Sequence, residues 1–174
     1  MEYVAERTTL GSIRLSNIAH NTLTINGERH LVKSNAPITR TFESKKQKGA
    51  EVDLSSVFAN SVKKVVRTVI LDQKDHLEVT DRLETGDKEA AVSWIMVTPA
   101  EAKITGKNRM ELTKDGQRML LTVDADTEVE MKTWSNVPPH EYDFRNPGTI
   151  RVGFETVIPA NRASQLKVRL IPLK

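Results

Sequence analysis

Short stretches in which apolar and polar residues alternate recur from one end of this chain to the other. Near the C-terminus, Leu166, Val168 and Leu170 alternate with Lys167 and Arg169, which is the period-two pattern of a strand with one face in water. Similar runs rich in Val and Thr are TLTIN, ERHLV, KVVRTVILD, HLEVTDRLE, AAVSWIMVT, KNRMELT, QRMLLTV, TEVEMKTW, TIRVGFETV and QLKVRLI. Gly, Asn and Asp, which favour turns, separate many of them. The pattern predicts a chain built mainly of β-strands.

The dipeptide Asn26-Gly27 lies between the runs TLTIN and ERHLV. This dipeptide favours a type I′ turn, because both central residues of that turn need a positive φ. A two-residue hairpin is therefore predicted here. It places Leu23 and Ile25 on the core face and His20 on the opposite face.

Only residues 53–61 suggest helix, as a single turn with Asp53 as its N-cap. The charged stretch Ser44–Glu51 is predicted to be a solvated loop. Many short strands with short turns indicate an all-β fold, and we predict an antiparallel β-sandwich of two packed sheets with at most one short helix. A lipocalin-type barrel is less consistent with the uneven strand and loop lengths. The 174 residues are predicted to form one domain, residues 1–174.

Composition excludes several classes of protein and site. The chain has no cysteine, which rules out disulfides and Cys-ligated metal. A net charge of +3 is mild, and no cluster of basic residues interleaved with aromatic ones indicates nucleic-acid binding. No apolar run approaches the ~20 residues that span a bilayer. Residues 1–7 carry two acids and no apolar segment typical of a signal peptide.

No local motif for nucleophilic or phosphate chemistry is present. The sequence has no Gly-x-Ser-x-Gly and no Gly-rich phosphate loop. The pair Asp124 and Asp126 lies in a predicted turn and lacks an EF-hand frame. The four histidines are His20, His30, His76 and His140, and no two are spaced i,i+4. Since a zinc site needs three or four ligands, His20 alone would make a poor one.

Four stretches, in order from about Arg14 to Leu170, resemble a known family. They are RLSNIAHNTLTING, VDLSSVFANSVKKVVRTVILDQKDHLEVTDRLE, VSWIMVTP and YDFRNPGTIRVGFE. Together they are similar to the ordered motifs of heparinase II/III-like polysaccharide lyases, including related alginate lyases.

The resemblance implies a part of a larger enzyme. Such lyases join an N-terminal α/α toroid to β-sheet domains, are secreted or periplasmic, and cleave uronic-acid polysaccharides (heparin, heparan sulfate or alginate) by β-elimination. Most of their catalytic residues lie before the stretch matched here, so the resemblance implies a truncated chain, a C-terminal β-sandwich without the catalytic half. It makes acidic polysaccharide and the toroid the expected partners, and it assigns no catalytic residue to this chain.

The same resemblance makes His20, in the HNT triplet, the candidate zinc ligand of the complete enzyme. The other ligands would come from earlier strands, so this chain alone is expected to bind zinc weakly or not at all. Arg14, six residues before His20, would share its face on an unbroken strand. We interpret it as an exposed salt-bridging arginine, with a contact to acidic substrate as the alternative. Asp143 and Gly148 are predicted to shape a tight turn in NPGT.

A second hypothesis is a non-catalytic carbohydrate-binding or adhesive β-sandwich. Its candidate sugar platforms are Trp94, Trp134, Tyr142 and Phe144. The apolar context SWIMV indicates a core position for Trp94, whereas Trp134 and Tyr142 flank a loop.

Overall fold

A computed structural model describes residues 16–138, 141 and 145–173. The described residues form strands and one 3₁₀ helix, Asn17–Ala19. The strands are β1 Leu23–Ile25, β2 Ile38–Glu43, β3 Gln47–Asp53, β4 Lys64–Asp72, β5 Leu77–Glu84, β6 Ala90–Thr98, β7 Glu101–Gly106, β8 Arg109–Lys114, β9 Gln117–Ala125, β10 Val129–Ser135, β11 Ile150–Ile158 and β12 Ala163–Leu173. The prediction of an all-β fold is confirmed.

The strands form two antiparallel sheets of unequal width. The smaller sheet has the order β1-β6-β11-β10, and the larger has the order β2-β3-β4-β5-β12-β9-β8-β7. Many connections in the larger sheet are hairpins, whereas β12 returns to lie between β5 and β9. This arrangement confirms the predicted sandwich.

Both sheets contribute to one hydrophobic core. The smaller sheet supplies Leu23, Trp94 and Phe154, and the larger supplies Leu83 and Leu121. The rings of Trp94 and Phe154 stack nearly parallel, with 6.1 Å between their centroids. Burial of such aromatic and aliphatic side chains is the main stabilisation of a sandwich.

The prediction for the Asn26-Gly27 turn is half right. Both residues have positive φ, 54° and 69°, and the Glu28 amide donates to the Ile25 carbonyl at 3.0 Å, as a type I′ turn requires. The hairpin itself is wrong, because β1 pairs with β6 and the residues after the turn form no strand. Leu23 and Ile25 are nevertheless fully buried, as predicted.

The predicted loop Ser44–Glu51 is also wrong. Its second half belongs to β3, which pairs with β2 on one side and β4 on the other. The sequence QKGAEVD has little apolar alternation, so its strand structure comes from pairing with the neighbouring strands and could not be predicted from the pattern. Residues 55–61 form successive turns in place of the predicted helical turn, and Asp53 caps their start by accepting the Ser55 amide at 2.8 Å.

Candidate functional site

His20 lies at the surface between the 3₁₀ helix and β1. Its amide donates to the Asn17 carbonyl at 3.1 Å, and its carbonyl accepts the Thr22 amide at 2.9 Å. The prediction that His20 avoids the core is confirmed, although its place comes from this short irregular segment and not from a hairpin. Residues 18–21 are called the His20 segment below.

Two asparagines fasten the chain around this segment. The buried Asn17 side-chain amide donates to Thr24 Oγ1 at 2.8 Å and to the Glu28 carbonyl at 3.1 Å. The Asn21 side-chain oxygen accepts the Val97 amide of β6 at 2.8 Å. The Asn21 bond extends the pairing of β1 with β6 to the residue that follows His20.

A guanidinium from the larger sheet reaches the same segment. Arg67 on β4 donates to both carboxylate oxygens of Asp81 on β5, at 2.7 and 2.8 Å. Its remaining terminal nitrogen, Nη1, donates to the Asn21 carbonyl at 3.0 Å. Asp81 is fully buried, so this bidentate ion pair is shielded from water and salt.

A second guanidinium reaches the segment from the smaller sheet. Arg151 on β11 donates through Nε and Nη2 to the Ser135 carbonyl, at 3.0 and 2.7 Å, and through Nη1 to the Ile18 carbonyl at 3.3 Å. Burial lowers the pKa of Arg151, but the group stays charged at neutral pH.

His30 lies close enough to sense these charges. Its Nε2 is 3.3 Å from the Leu23 carbonyl, and its ring packs edge-on against Phe58 with 4.7 Å between centroids. Burial lowers the pKa of His30, the hydrogen bond to the Leu23 carbonyl offsets part of this effect, and the neighbouring basic groups His20 and Arg67 add to the lowering.

The described residues do not by themselves fit a zinc ion. Within residues 16–138, 141 and 145–173, no three His, Asp or Glu side chains come together in a metal-binding group. A zinc site needs three or more protein ligands, so His20 would have to share the ion with groups elsewhere. His20 as a ligand stays a prediction.

The other predicted site residues have different fates. Trp94 is 4% exposed and cannot stack on a sugar, whereas Trp134 on β10 is half-buried opposite Arg151. Gly148 has φ 69°, as predicted for its turn, and Asp126 accepts the Ser164 hydroxyl. Four predicted residues, and one of the four histidines, lie outside the described residues: Arg14, Tyr142, Asp143, Phe144 and His140.

The sequence analysis missed Arg67, Asp81 and Arg151 as parts of this site. Arg67 and Asp81 sit directly opposite each other on β4 and β5, a relation that only the strand register creates. Arg151 is 133 residues from the carbonyl it binds, and no local signal connects the two.

Comparisons with known proteins agree with this fold. Residues 3–168 match the family described as heparinase II/III-like, C-terminal. A comparison with curated proteins finds no match. In the described part of the chain, no helix has the length and apolar character needed to cross a membrane.

Solved structures show the same architecture. A crystal structure of heparinase III matches with TM-score 0.69 and 15% identity, over 91% of this chain and 24% of that one. The heparan sulfate lyase HepC from Pedobacter heparinus matches with TM-score 0.62 and 15% identity, over 100% and 26%. HI1317 matches with TM-score 0.55 and 10% identity, over 91% and 79%.

The chain thus spans about a quarter of the length of the two lyases. At identities this low, the structural similarity shows a shared fold. The match over residues 3–168 shows membership of the family. The chain belongs to the heparinase II/III-like C-terminal family.

Proposed function

We propose that this chain is the C-terminal β-sandwich of a polysaccharide lyase that cleaves uronic-acid polysaccharides, of the heparin, heparan sulfate or alginate type, by β-elimination. The observation that carries the proposal is the family match over residues 3–168. A secreted or periplasmic location fits such a substrate. The sandwich is proposed to be inactive alone and to act together with an α/α toroid.

The proposed reaction needs groups of two kinds. A base removes the proton α to the uronate carboxyl, and an acid protonates the leaving glycosidic oxygen. Charge that develops on the carboxylate needs electrostatic stabilisation. The basic side chains of His20 and Arg151 lie at the same edge of the sandwich, which supports a place for this edge next to an anionic substrate, and we assign no catalytic residue to this chain.

We further propose that His20 is one ligand of a zinc ion held jointly with groups outside the described residues. Zinc in such a site would act as a Lewis acid or as an organiser of its ligands. His20 suits a ligand role because its imidazole is exposed while its backbone is fastened on both sides. After chelator treatment, the 174-residue chain is expected to bind zinc weakly, and stoichiometric zinc in metal analysis would overturn this expectation.

Lyase activity is tested by the unsaturated uronates that β-elimination creates, which absorb at about 230–235 nm. The 174-residue chain alone, incubated with heparin, heparan sulfate or alginate, is expected to give no rise in absorbance. A protein in which an α/α toroid precedes this segment is expected to give the rise, and His20→Ala in that protein is expected to reduce it. A rise from the chain alone would refute the assignment of catalysis to other residues.

Binding experiments separate the lyase proposal from a free-standing carbohydrate-binding module. Isothermal titration would compare acidic with neutral oligosaccharides on the 174-residue chain and on its Trp134→Ala variant. The lyase proposal expects weak binding that prefers acidic sugars and is largely kept in the variant. Tight binding that is lost in Trp134→Ala would favour the module instead.

The coding sequence immediately upstream of Met1 offers a direct genetic check. An open reading frame in frame with this one that encodes a helical toroid is expected. A stop codon directly upstream, with no toroid gene nearby, would contradict the proposed domain partnership.

A further inference from the structure

The His20 segment is bound by two arginines that come from opposite sheets. Arg67 of the larger sheet donates to the Asn21 carbonyl, and Arg151 of the smaller sheet donates to the Ile18 carbonyl. The two carbonyls lie on either side of His20. The backbone of His20 is therefore held on both sides, although its side chain lies in solvent.

The elements on either side of the segment are short. The 3₁₀ helix before it has three residues, and β1 after it also has three. His20 is exposed, so core packing does not restrain its ring. Residues 18–21 are half-buried or exposed, and segments with little burial open easily. The contacts from Arg67 and Arg151 therefore restrain this segment together with the bond from the Val97 amide to Asn21.

Each arginine is itself held firmly. The fork of Arg67 is fixed by the fully buried Asp81 carboxylate, at 2.7 and 2.8 Å. Two nitrogens of Arg151 share the Ser135 carbonyl at the end of β10. Charge-assisted and bidentate hydrogen bonds of this kind are geometrically specific. Each guanidinium is therefore held by its own sheet in a fixed position beside the segment.

We propose that Arg67 and Arg151 are positioning residues that together hold His20 in one direction at the rim of the sandwich. The purpose of this arrangement rests on the proposed function, in which His20 is a metal ligand. The arrangement itself is independent of that function, because it follows from hydrogen bonds within this chain. It predicts that release of either arginine frees the His20 segment and leaves the sheets intact.

The test uses two variants of the 174-residue chain that each release one anchor, a conservative variant, Arg151→Lys, and one control. Arg151→Met removes one anchor. Arg67→Lys keeps a cation beside the buried Asp81 carboxylate but loses the guanidinium that also donates to the Asn21 carbonyl. Arg67→Met is not used, because it would leave the buried carboxylate without a counter-charge and destabilise the fold. Arg169→Met is the matched control, because Arg169 is an exposed strand arginine that pairs with Glu78.

Two measurements report on the segment. Amide hydrogen exchange of His20 and Thr22 is expected to accelerate about tenfold in each test variant, while exchange in β12 stays the same. In nuclear magnetic resonance, the imidazole carbon–hydrogen signals of His20 are expected to shift toward those of an unstructured peptide. Arg151→Lys can still donate to one carbonyl, so it is expected to show smaller changes than Arg151→Met in both measurements.

Three outcomes would overturn the proposal. The first is unchanged exchange and imidazole signals in Arg151→Met and Arg67→Lys. The second is equal acceleration in β12, which would mean loss of global stability. The third is a His20 segment that already exchanges freely in the unaltered protein. None of these depends on lyase activity, so a failed activity assay with a passed exchange test would refute the proposed function alone.

Discussion

At the scale of single residues, two bidentate ion pairs of similar geometry differ in burial. Arg67 and Asp81 pair at 2.7 and 2.8 Å with Asp81 fully buried, and Arg118 and Glu111 pair at 2.7 and 2.8 Å on the exposed outer face. Burial, and not geometry, should decide what each pair contributes to stability.

We predict that Asp81→Asn lowers the free energy of unfolding by about 3–5 kcal/mol, because it leaves the Arg67 guanidinium without its counter-charge in a site closed to water. Urea denaturation of the unaltered and variant chains would measure the difference. The control, Glu111→Gln, removes the exposed carboxylate of an equivalent fork and should change the midpoint far less. Equal losses in the two variants would contradict the argument.

The pH dependence of stability should report on His30. Burial lowers the pKa of His30 from 6.5, and the hydrogen bond to the Leu23 carbonyl offsets only part of this effect. The unfolded chain therefore binds a proton on this residue at a higher pH than the folded protein does. By linkage, the stabilisation is fully present above pH 6.5 and is lost as the pH falls through that value toward the lowered pKa.

We predict that His30→Gln reduces the dependence of the free energy of unfolding on pH in this range. Urea midpoints at about pH 7.5 and 5.5 should differ less in the variant than in the unaltered chain. His76→Gln is the control, because His76 lies in the β4–β5 turn beside Asp72. The hydrogen bond from Arg118 lowers the pKa of Glu111 from 4.5, so the contribution of this carboxylate is lost only below that window. An unchanged slope in His30→Gln would refute the prediction.

At the scale of elements, the pairing of β6 with β11 depends on one glycine. Gly153 has φ 154°, and a Cβ added there would lie 1.8 Å from the Trp94 carbonyl oxygen. The neighbouring atom belongs to the backbone of β6, so it can move only if the strands separate. Close approach of two strands is a known reason for glycine within a sheet.

We predict that Gly153→Ala destabilises the protein by more than about 4 kcal/mol or prevents folding, because it breaks the ladder that holds Trp94 in the core. Circular dichroism and thermal unfolding would measure the effect. Gly116→Ala is the matched control: Gly116 has φ 76° with no atom within 4 Å of an added Cβ, so it should lose only about 1–2 kcal/mol. Comparable losses at the two positions would contradict the steric argument.

The elements also show where sequence reasoning succeeds and fails. The alternation in β12 predicts a strand because every second residue from Ser164 to Leu170 is buried. In β2 and β3 most residues are exposed or half-buried, so their strand character comes from pairing with neighbours. The Asn26-Gly27 turn was correctly predicted, yet a partner far along the chain, β6, competes successfully for β1.

Register explains why the site was harder to predict than the strands. The β4–β5 pairing places Arg67 opposite Asp81, and a turn shorter by one residue would place Thr80 there instead and move the carboxylate to the other face. The exposure of His20 is predicted correctly, but from a hairpin that does not form. The contacts of Arg67 and Arg151 with this segment could not be predicted from local sequence, because the two arginines reach it only after both sheets have assembled.

At the scale of the whole molecule, the two sheets are joined by more than hydrophobic contact. Core residues from both sheets form one cluster, and Arg67 links the larger sheet to the chain segment that leads into the smaller one. Neither sheet could keep its inner face out of water without the other. The two sheets should therefore unfold together, as expected for the predicted single domain of residues 1–174.

We predict a single cooperative unfolding transition for the 174-residue chain. In a Trp134→Phe background, fluorescence reports on Trp94 alone, because the chain has two tryptophans, and Trp94 lies in the core within the smaller sheet. Far-ultraviolet circular dichroism reports mostly on the larger sheet, which has eight of the twelve strands found in the described residues.

The urea midpoints from the two probes should coincide, since exposure of Trp94 removes the cover from the inner face of the larger sheet. The unaltered chain, followed by circular dichroism, checks that Trp134→Phe leaves the midpoint in place. If the Trp94 signal were lost at a clearly lower urea concentration than the strand signal, the smaller sheet would be an independent unit. The shared core and the Arg67 link would then contribute too little to couple the sheets.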